Sequence, residues 1–385
     1  MAVFFLLLFV FLKQFYIFTS GSIGVGDMCL LISSLCLARK RVKEGKTMLP
    51  EKKDWLIWMF IGITVLINGI YSLMYGNVEF LKFSLFWIFN GIFVWTIRYL
   101  AEIDPLLMKH SAIVMKISIV TQLLLWLSGE GRLFVEYNGT RYMGSFNDPN
   151  QMAFFVFCMM LLLYLYSSRY RDFTYGLFYG IGVWLIIQTK STGILLGVII
   201  LTLGIGILEC KRLYDSKKVT KAIWIVGGIL IMIMGIGLFL YLWPEPGFQV
   251  QPGHFTMTDR IKEKIQIISS GGLQELLINR GSDKVILYPQ YFLYGAGEGG
   301  LWRFTKTDVV TEIHNCLLSI LFCYGFAPAV IMARWIWNQM KNAEPYILVA
   351  VAALLVESCF LVNYRQPFFW WILLSGDLYN SSSGE

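Results

Sequence analysis

Two polar residues, His314 and Asn315, stand at the start of an apolar run in the sequence EIHNCLLSILFCYG. The chain has only three histidines, so an imidazole at this position calls for an explanation. A histidine in the first turn of a helix, where water meets membrane, is suited to act as a general base. The same placement is equally typical of an interfacial histidine that only caps its helix.

Four cationic residues occupy comparable positions beside apolar runs. Arg280 lies in INRGSDKV, Arg141 in TRYMGSFNDPNQMA, Lys190 in QTKSTGILLG and Arg365 in NYRQPFFWW. Guanidinium groups bind phosphate in a bidentate manner, and charged residues so close to the bilayer are candidates for a functional site. The competing interpretations are solvated loop arginines, a lysine that snorkels to the interface, and an interfacial anchor at Arg365.

The remaining polar candidates have weaker signals. Asn150 follows Asp148 and Pro149, a pattern that first of all predicts a turn and a helix start. The other histidines, His110 and His254, are separated along the chain, so the sequence predicts no metal site. Several carboxylates share the loops with these candidates, but spacing alone pairs none of them for acid–base chemistry: Asp148, Glu298, Asp308 and Glu312.

The composition indicates which elements must position these residues. The chain has 385 residues, is 57% hydrophobic and 15% charged, and has a mean hydropathy of +0.62, which is typical of a polytopic membrane protein. A membrane-spanning helix needs about twenty apolar residues, and about eleven or twelve runs approach that length. These runs are 2–18, 28–38, 55–75, 80–97, 107–127, 151–167, 175–188, 193–208, 222–243, 315–337, 346–362 and 368–374.

The net charge of +7 is explained by topology rather than by a nucleic-acid partner. Basic residues cluster within 39–53, 169–171 and 211–221, which are every second loop. The positive-inside rule places these loops and both termini in the cytoplasm. The candidate residues then lie together on the opposite side of the membrane.

The sequence therefore predicts one all-α membrane domain over residues 1–385, with two longer loops on the candidate side. The larger loop, 244–313, greatly exceeds a typical connection and is predicted to be functional. Within it, Ile261, Ile265 and Ile268 recur at helical spacing with charge opposite, which predicts an amphipathic helix. The glycine-rich YGAGEGG is predicted to form a turn at the end of the loop.

Taken in order, these segments resemble the bacterial O-antigen polymerase and O-antigen ligase superfamily. The resemblance is carried by RYMGSFNDPNQMA, TKSTGILLG, the NR before a short helix, YGAGEGG and IHNCLLSILFCYG, over most of residues 141–371. The histidine followed after ten residues by a glycine, His314 and Gly325, fits the family pattern. So do an arginine in the large loop, Arg280, and one ahead of the DPN helix, Arg141.

The resemblance implies a GT-C-like membrane enzyme that accepts an undecaprenyl-diphosphate-linked oligosaccharide in a periplasmic cavity, without a metal or another cofactor. Arg280 and Arg141 are then expected to hold the diphosphate, while His314 helps to deprotonate the acceptor hydroxyl. Further contacts to the diphosphate or glycan are expected from Lys190, Arg365, Asn150 and Asn315. The implied partners are membrane lipid and a polysaccharide chain-length regulator, and no nucleic acid.

Two departures from the family bear on the function. Members commonly carry Ser-Arg where this chain has Ser191 and Thr192, so either Lys190 supplies the charge or that position is unused. Ligases often have leucine four residues after the large-loop arginine, where this chain has Lys284, and this difference favours a polymerase. A ligase that moves glycan to lipid A-core or to a protein stays open. A flippase predicts charges buried within spans and two related halves, which the sequence does not display.

Overall fold

Helices dominate the computed structural model, which describes residues 1–16, 24–136, 139–215, 256–306 and 311–381. The helices before the large loop are α1 (Ala2–Leu12), α2 (Val25–Lys43), α3 (Trp55–Tyr75), α4 (Glu79–Ile103), α5 (Leu107–Ser128), α6 (Pro149–Tyr170), α7 (Tyr175–Thr189) and α8 (Thr192–Asp215). Those that follow are α9 (Met257–Ser269), α10 (Leu273–Ile278), α11 (Lys284–Leu287), α12 (Tyr291–Tyr294), α13 (Cys316–Tyr324), α14 (Phe326–Met340), α15 (Pro345–Ser358) and α16 (Pro367–Ser381).

Five of the described helices are long and apolar enough to cross a membrane, which confirms a membrane-embedded helical protein. They are α3 with its preceding turn, α4, α5, α6 and α8, and three shorter apolar helices accompany them, α1, α7 and α15. The predicted number of spans is higher because several predicted runs are shorter or broken in the structure. The predicted span 222–243 lies outside the described residues.

Two short strands, which the all-α prediction did not include, precede α6. Strand β1 (Arg132–Glu136) pairs antiparallel with β2 (Gly139–Gly144). The hairpin ends at a turn in which the Asp148 carboxylate accepts hydrogen bonds from the backbone of Asn150 and Gln151, with Pro149 in the first turn of α6. Because this cap fixes where α6 begins, it also fixes the distance between Asn150 and the strand.

The predicted span 315–337 is broken at Gly325 into α13 and α14. Gly325 has φ +84°, and a Cβ there would lie 2.8 Å from the carbonyl oxygen of Leu293. The glycine-rich segment enters this break, where the N–H groups of Ala296 and Gly297 donate to the last carbonyls of α13 at 2.9 and 2.8 Å. The segment predicted to form a turn is largely buried, because it satisfies carbonyls that the broken helix leaves open.

The opposite end of the helix bundle is held by a buried ion-pair network around Arg98. Its guanidinium, 2% exposed, donates to both carboxylate oxygens of Asp54 at 2.9 and 2.8 Å and also pairs with Asp377. Trp335 donates its indole N–H to Asp54 at 3.2 Å. One buried arginine thus joins α4, the start of α3 and α16, at the end of the bundle away from the candidate residues.

Candidate functional site

The first part of the site joins β2 to the starts of α6 and α8. Arg141, 5% exposed, donates through Nε to the carbonyl of Thr189 and through Nη2 to Oδ1 of Asn150, both at 2.8 Å. The same Asn150 oxygen accepts from the Ser191 hydroxyl at 2.9 Å. Lys190 is the left-handed residue, φ 54°, that ends α7, and it is 4% exposed. Two sequence candidates, Arg141 and Asn150, are therefore in direct contact, and Lys190 adjoins them.

Helix α9 of the large loop lies over this region. It begins at a capping box in which Thr256 and Asp259 bond reciprocally, and the predicted isoleucine stripe is present on it. Lys264 reaches from α9 to the hydroxyl of Thr192, the first residue of α8, with a hydrogen bond from its ammonium group. The pKa of Asp259 is lowered by the bonds from Thr256 and, less strongly, by the nearby charges of Lys262 and Lys190.

The pKa of Lys264 shows how strongly positive this region is. Burial, followed by the charges of Arg280, Arg260 and Arg141, lowers it from 10.5 to about 8. The pKa of Arg280 is also lowered, by burial and by Arg260. Burial together with neighbouring cations disfavours the charged form of a lysine, so the direction of this shift is that of a partly buried cation among other cations.

Arg280 connects the cations to the segment just before α13, where His314 precedes the Asn315 cap and does not stand in the first turn of the helix as predicted. Its Nη1 donates to the carbonyl of Phe360 at 2.6 Å, and its own carbonyl accepts from the backbone N–H of His314 at 2.9 Å. Asn315 caps α13 with its side-chain oxygen and donates its amide to the carbonyl of Cys359 at 3.0 Å. A Cβ at Gly193 would lie 2.8 Å from Cβ of Phe360, so the start of α8 packs against the same loop.

The ring of His314 is oriented by the backbone. Its Nδ1 lies 2.8 Å from the carbonyl oxygen of Glu312, and because a carbonyl only accepts, Nδ1 must donate. In the neutral ring, Nε2 then carries the lone pair. No hydrogen bond occupies Nε2 among the described residues, so the arrangement leaves the basic nitrogen available to a substrate.

We define the cationic cluster as Arg141, Lys190, Arg260, Lys264 and Arg280. The starts of three helices, α6, α8 and α13, adjoin it through the Asn150, Thr192 and His314 contacts. Helix N-termini carry partial positive charge, which adds to the attraction for an anion. The cluster can therefore bind a multiply charged anion such as a diphosphate beside the histidine.

Arg365 belongs to a different group of residues. Its guanidinium donates to Glu298 Oε1 through Nε at 2.9 Å and Nη2 at 2.5 Å, and to Glu312 Oε2 through Nη1 at 2.8 Å. Burial opposes its charge, but Glu298, Tyr364 and Glu312 together more than offset this and raise the pKa of Arg365. The predicted contact of Arg365 with substrate stays a prediction, yet two carboxylates already engage it.

Sequence reasoning missed Arg260 and Lys264. Their spacing of four residues is visible in DRIKEKIQII, but the pattern predicts that these charges face solvent, opposite the isoleucines. In the structure these two residues lie at the edge of the isoleucine stripe and turn toward α8 and Arg280. The spacing of the two cations is therefore visible in the sequence, but the direction in which their side chains point depends on how α9 packs.

A buried carboxyl also lies in the last turn of α15, at the end of the bundle that carries the candidate residues. Glu357, on α15, is 0% exposed. One of its oxygens accepts from Asn363 at 2.6 Å, and the other has no hydrogen-bond partner among the described residues. Such groups are characteristic of functional membrane proteins in general and do not by themselves select a transporter.

No group of three potential metal ligands assembles within the part of the chain that the structure describes. The site geometry is therefore that of side-chain cations, helix ends and one imidazole. No protein-family model matches the chain, and no curated protein is significantly similar to it in sequence. The function is therefore inferred from the geometry of the site.

Proposed function

We propose that this chain is a glycosyltransferase that polymerises undecaprenyl-diphosphate-linked oligosaccharide units into O-antigen or a related surface polysaccharide. The observation that carries the proposal is the cationic cluster, formed where three helix starts meet and placed beside a histidine with an available Nε2. A lipid-diphosphate glycosyl donor places an anion at the membrane interface, and its reaction needs a general base beside that anion.

In the proposed reaction, a hydroxyl oxygen of the acceptor glycan forms a bond to the anomeric carbon of the donor. The bond from that carbon to the diphosphate oxygen breaks, and its electron pair leaves with the diphosphate. His314 Nε2 takes the hydroxyl proton. The negative charge that grows on the leaving oxygen is stabilised by Arg280 and Arg141, which are already fixed by hydrogen bonds and need little reorganisation.

The same proposal assigns the chain to the bacterial inner membrane, with cytoplasmic termini and the site on the periplasmic face. A lipid-linked donor keeps its tail in the bilayer and its phosphates at the interface, where the cluster lies at helix ends. A chain-length regulator is the protein partner that polymerisation implies. Basic loops at the opposite end of the bundle support this orientation.

Gel profiles of surface glycan from a strain that lacks this gene test the proposal. Loss of a polymerase leaves lipid A-core with a single repeat unit, and wild-type protein restores the ladder. At matched protein levels, we expect no ladder from His314→Ala, Arg280→Ala or Arg141→Ala. Arg132→Ala, an exposed arginine on β1 outside the cluster, and His110→Ala, at the other end of the bundle, are the controls that restore it.

The other outcomes identify the alternatives. Bare core together with long chains on the lipid carrier would identify a ligase. Bare core with no polymer on the external face would identify a flippase. A full ladder from His314→Ala would show that the imidazole takes no part in the reaction.

A further inference from the structure

Arg365 lies between two carboxylates that differ greatly in exposure. Glu298 is 3% exposed, whereas the side chain of Glu312 is 38% exposed. The guanidinium also stacks over the ring of Phe83, with 4.7 Å between its carbon and the ring centroid. Three of its nitrogens are bonded and one face is covered, so its position is tightly restricted.

The carboxylate of Glu298 is itself fixed by several hydrogen-bond donors. Its carboxylate accepts from the hydroxyls of Tyr324 at 2.5 Å and Tyr364 at 2.8 Å, and from the indole of Trp87 at 3.3 Å. Its backbone N–H donates to Asn68 at 2.9 Å. A carboxylate fixed by this many donors is a rigid anchor for whatever cation it pairs with.

Glu312 connects Arg365 to the histidine. Its side chain accepts from Arg365, while its carbonyl accepts from Nδ1 of His314, two residues later. Holding the side chain of Glu312 therefore limits the rotation of the peptide that orients the imidazole. The backbone N–H of His314, bonded to Arg280, restrains the turn from the other side.

Resting on the proposed function, we propose that Arg365 is a positioning residue: it transmits the rigidity of Glu298 to Glu312 and so holds the His314 ring with Nε2 toward the acceptor. Charge favours this role over contact with the donor. Two carboxylates already engage three nitrogens of this guanidinium and offset its charge, which leaves it little attraction for a diphosphate. The cationic cluster, by contrast, attracts one.

The first test measures the histidine tautomer and needs no turnover. In ¹⁵N-histidine-labelled full-length protein in nanodiscs, at a pH where the ring is neutral, we expect His314 to be protonated on Nδ1. His110→Ala and His254→Ala remove the other two histidine signals and so assign the spectrum. In Arg365→Lys, which keeps the charge but loses the planar fork, we expect both tautomers.

Arg365→Lys is complemented by the double variant Arg365→Met/Glu298→Gln, which leaves no buried charge unpaired and so protects folding. It too should show mixed tautomers. A pure Nδ1–H tautomer in both variants would overturn the inference, because the ring would then be held without Arg365.

The second test separates positioning from binding. For Arg365→Lys we expect kcat to fall by about 100-fold, the effect of a misplacement of about 1 Å, with the donor KM and the Kd for undecaprenyl diphosphate unchanged. A Kd that rises tenfold or more would make Arg365 a donor ligand and refute the inference. Wild-type protein that binds no undecaprenyl diphosphate would refute the proposed function instead, while the tautomer measurement still decides the role of Arg365.

Glu312 supplies a further discrimination. Glu312→Gln keeps an oxygen that accepts from Arg365, so turnover and the tautomer should be retained, whereas Glu312→Ala should behave like Arg365→Lys. Loss of turnover in Glu312→Gln with an unchanged tautomer would make Glu312 itself the base and overturn the positioning role.

Discussion

Lys264 offers a test of the cationic cluster that depends on pH alone. Burial and three neighbouring arginines lower its pKa to about 8. If only the ammonium form binds the anion, about nine-tenths of the protein is competent at pH 7 and about one-tenth at pH 9, so Kd rises about tenfold. A polyprenyl diphosphate that carries one sugar is a diester and has no proton to lose in this range, so the slope belongs to the protein.

The assay is titration of that lipid into the protein in nanodiscs at several pH values between 7 and 9. Lys264→Arg keeps its positive charge throughout and should bind with a flat pH profile. Lys262→Arg, an exposed lysine on the same helix, is the matched control and should keep the wild-type slope. A flat wild-type profile, or the same slope in Lys264→Arg, would refute the argument that Lys264 titrates against the cluster and contacts the anion.

Two further predictions concern the fold that positions the site, and both are measured by thermal unfolding. Gly325→Ala adds a Cβ 2.8 Å from the carbonyl oxygen of Leu293 at a positive φ, and we expect it to destabilise the protein by about 1–3 kcal/mol. Gly62→Ala, which has open space around the added Cβ, is the control and should not destabilise the protein. Equal effects of the two substitutions would contradict the account of the helix break. Arg98→Met leaves Asp54 buried without its cation, and we expect it to destabilise the protein by about 3–5 kcal/mol. A variant whose stability lies within about 1 kcal/mol of wild type would show that the ion-pair network is dispensable.

Membrane class, helical content and the candidates Arg141, Lys190, Arg280 and His314 were accessible from the sequence. Long apolar runs leave a chain few alternatives to helices in a bilayer, because every backbone polar group must be satisfied within the segment. Alternation of basic loops then assigns each connection to one end of the bundle. In the structure these four candidates lie at one end, in contact with each other or with shared neighbours.

The broken helix at Gly325 was not accessible in the same way. That run contains Gly325 and Pro328, which can break a helix, but its overall hydropathy is that of an ordinary span. The break exists because Ala296 and Gly297, far from it along the chain, supply the N–H groups that its carbonyls need. Local propensity contains no information about a partner that arrives by tertiary packing.

Hydropathy and charge act locally, so the sequence alone predicts a helical membrane protein with cations and a histidine near one set of helix ends. What each charge faces depends on packing between distant segments. Lys264 meets Thr192 across 72 residues, and Arg365 meets Glu298 across 67, and these contacts make one a member of the cationic cluster and the other a partner of carboxylates. Two cations of equal charge thus take opposite roles, because the electrostatic environment of a side chain is set by its neighbours in space.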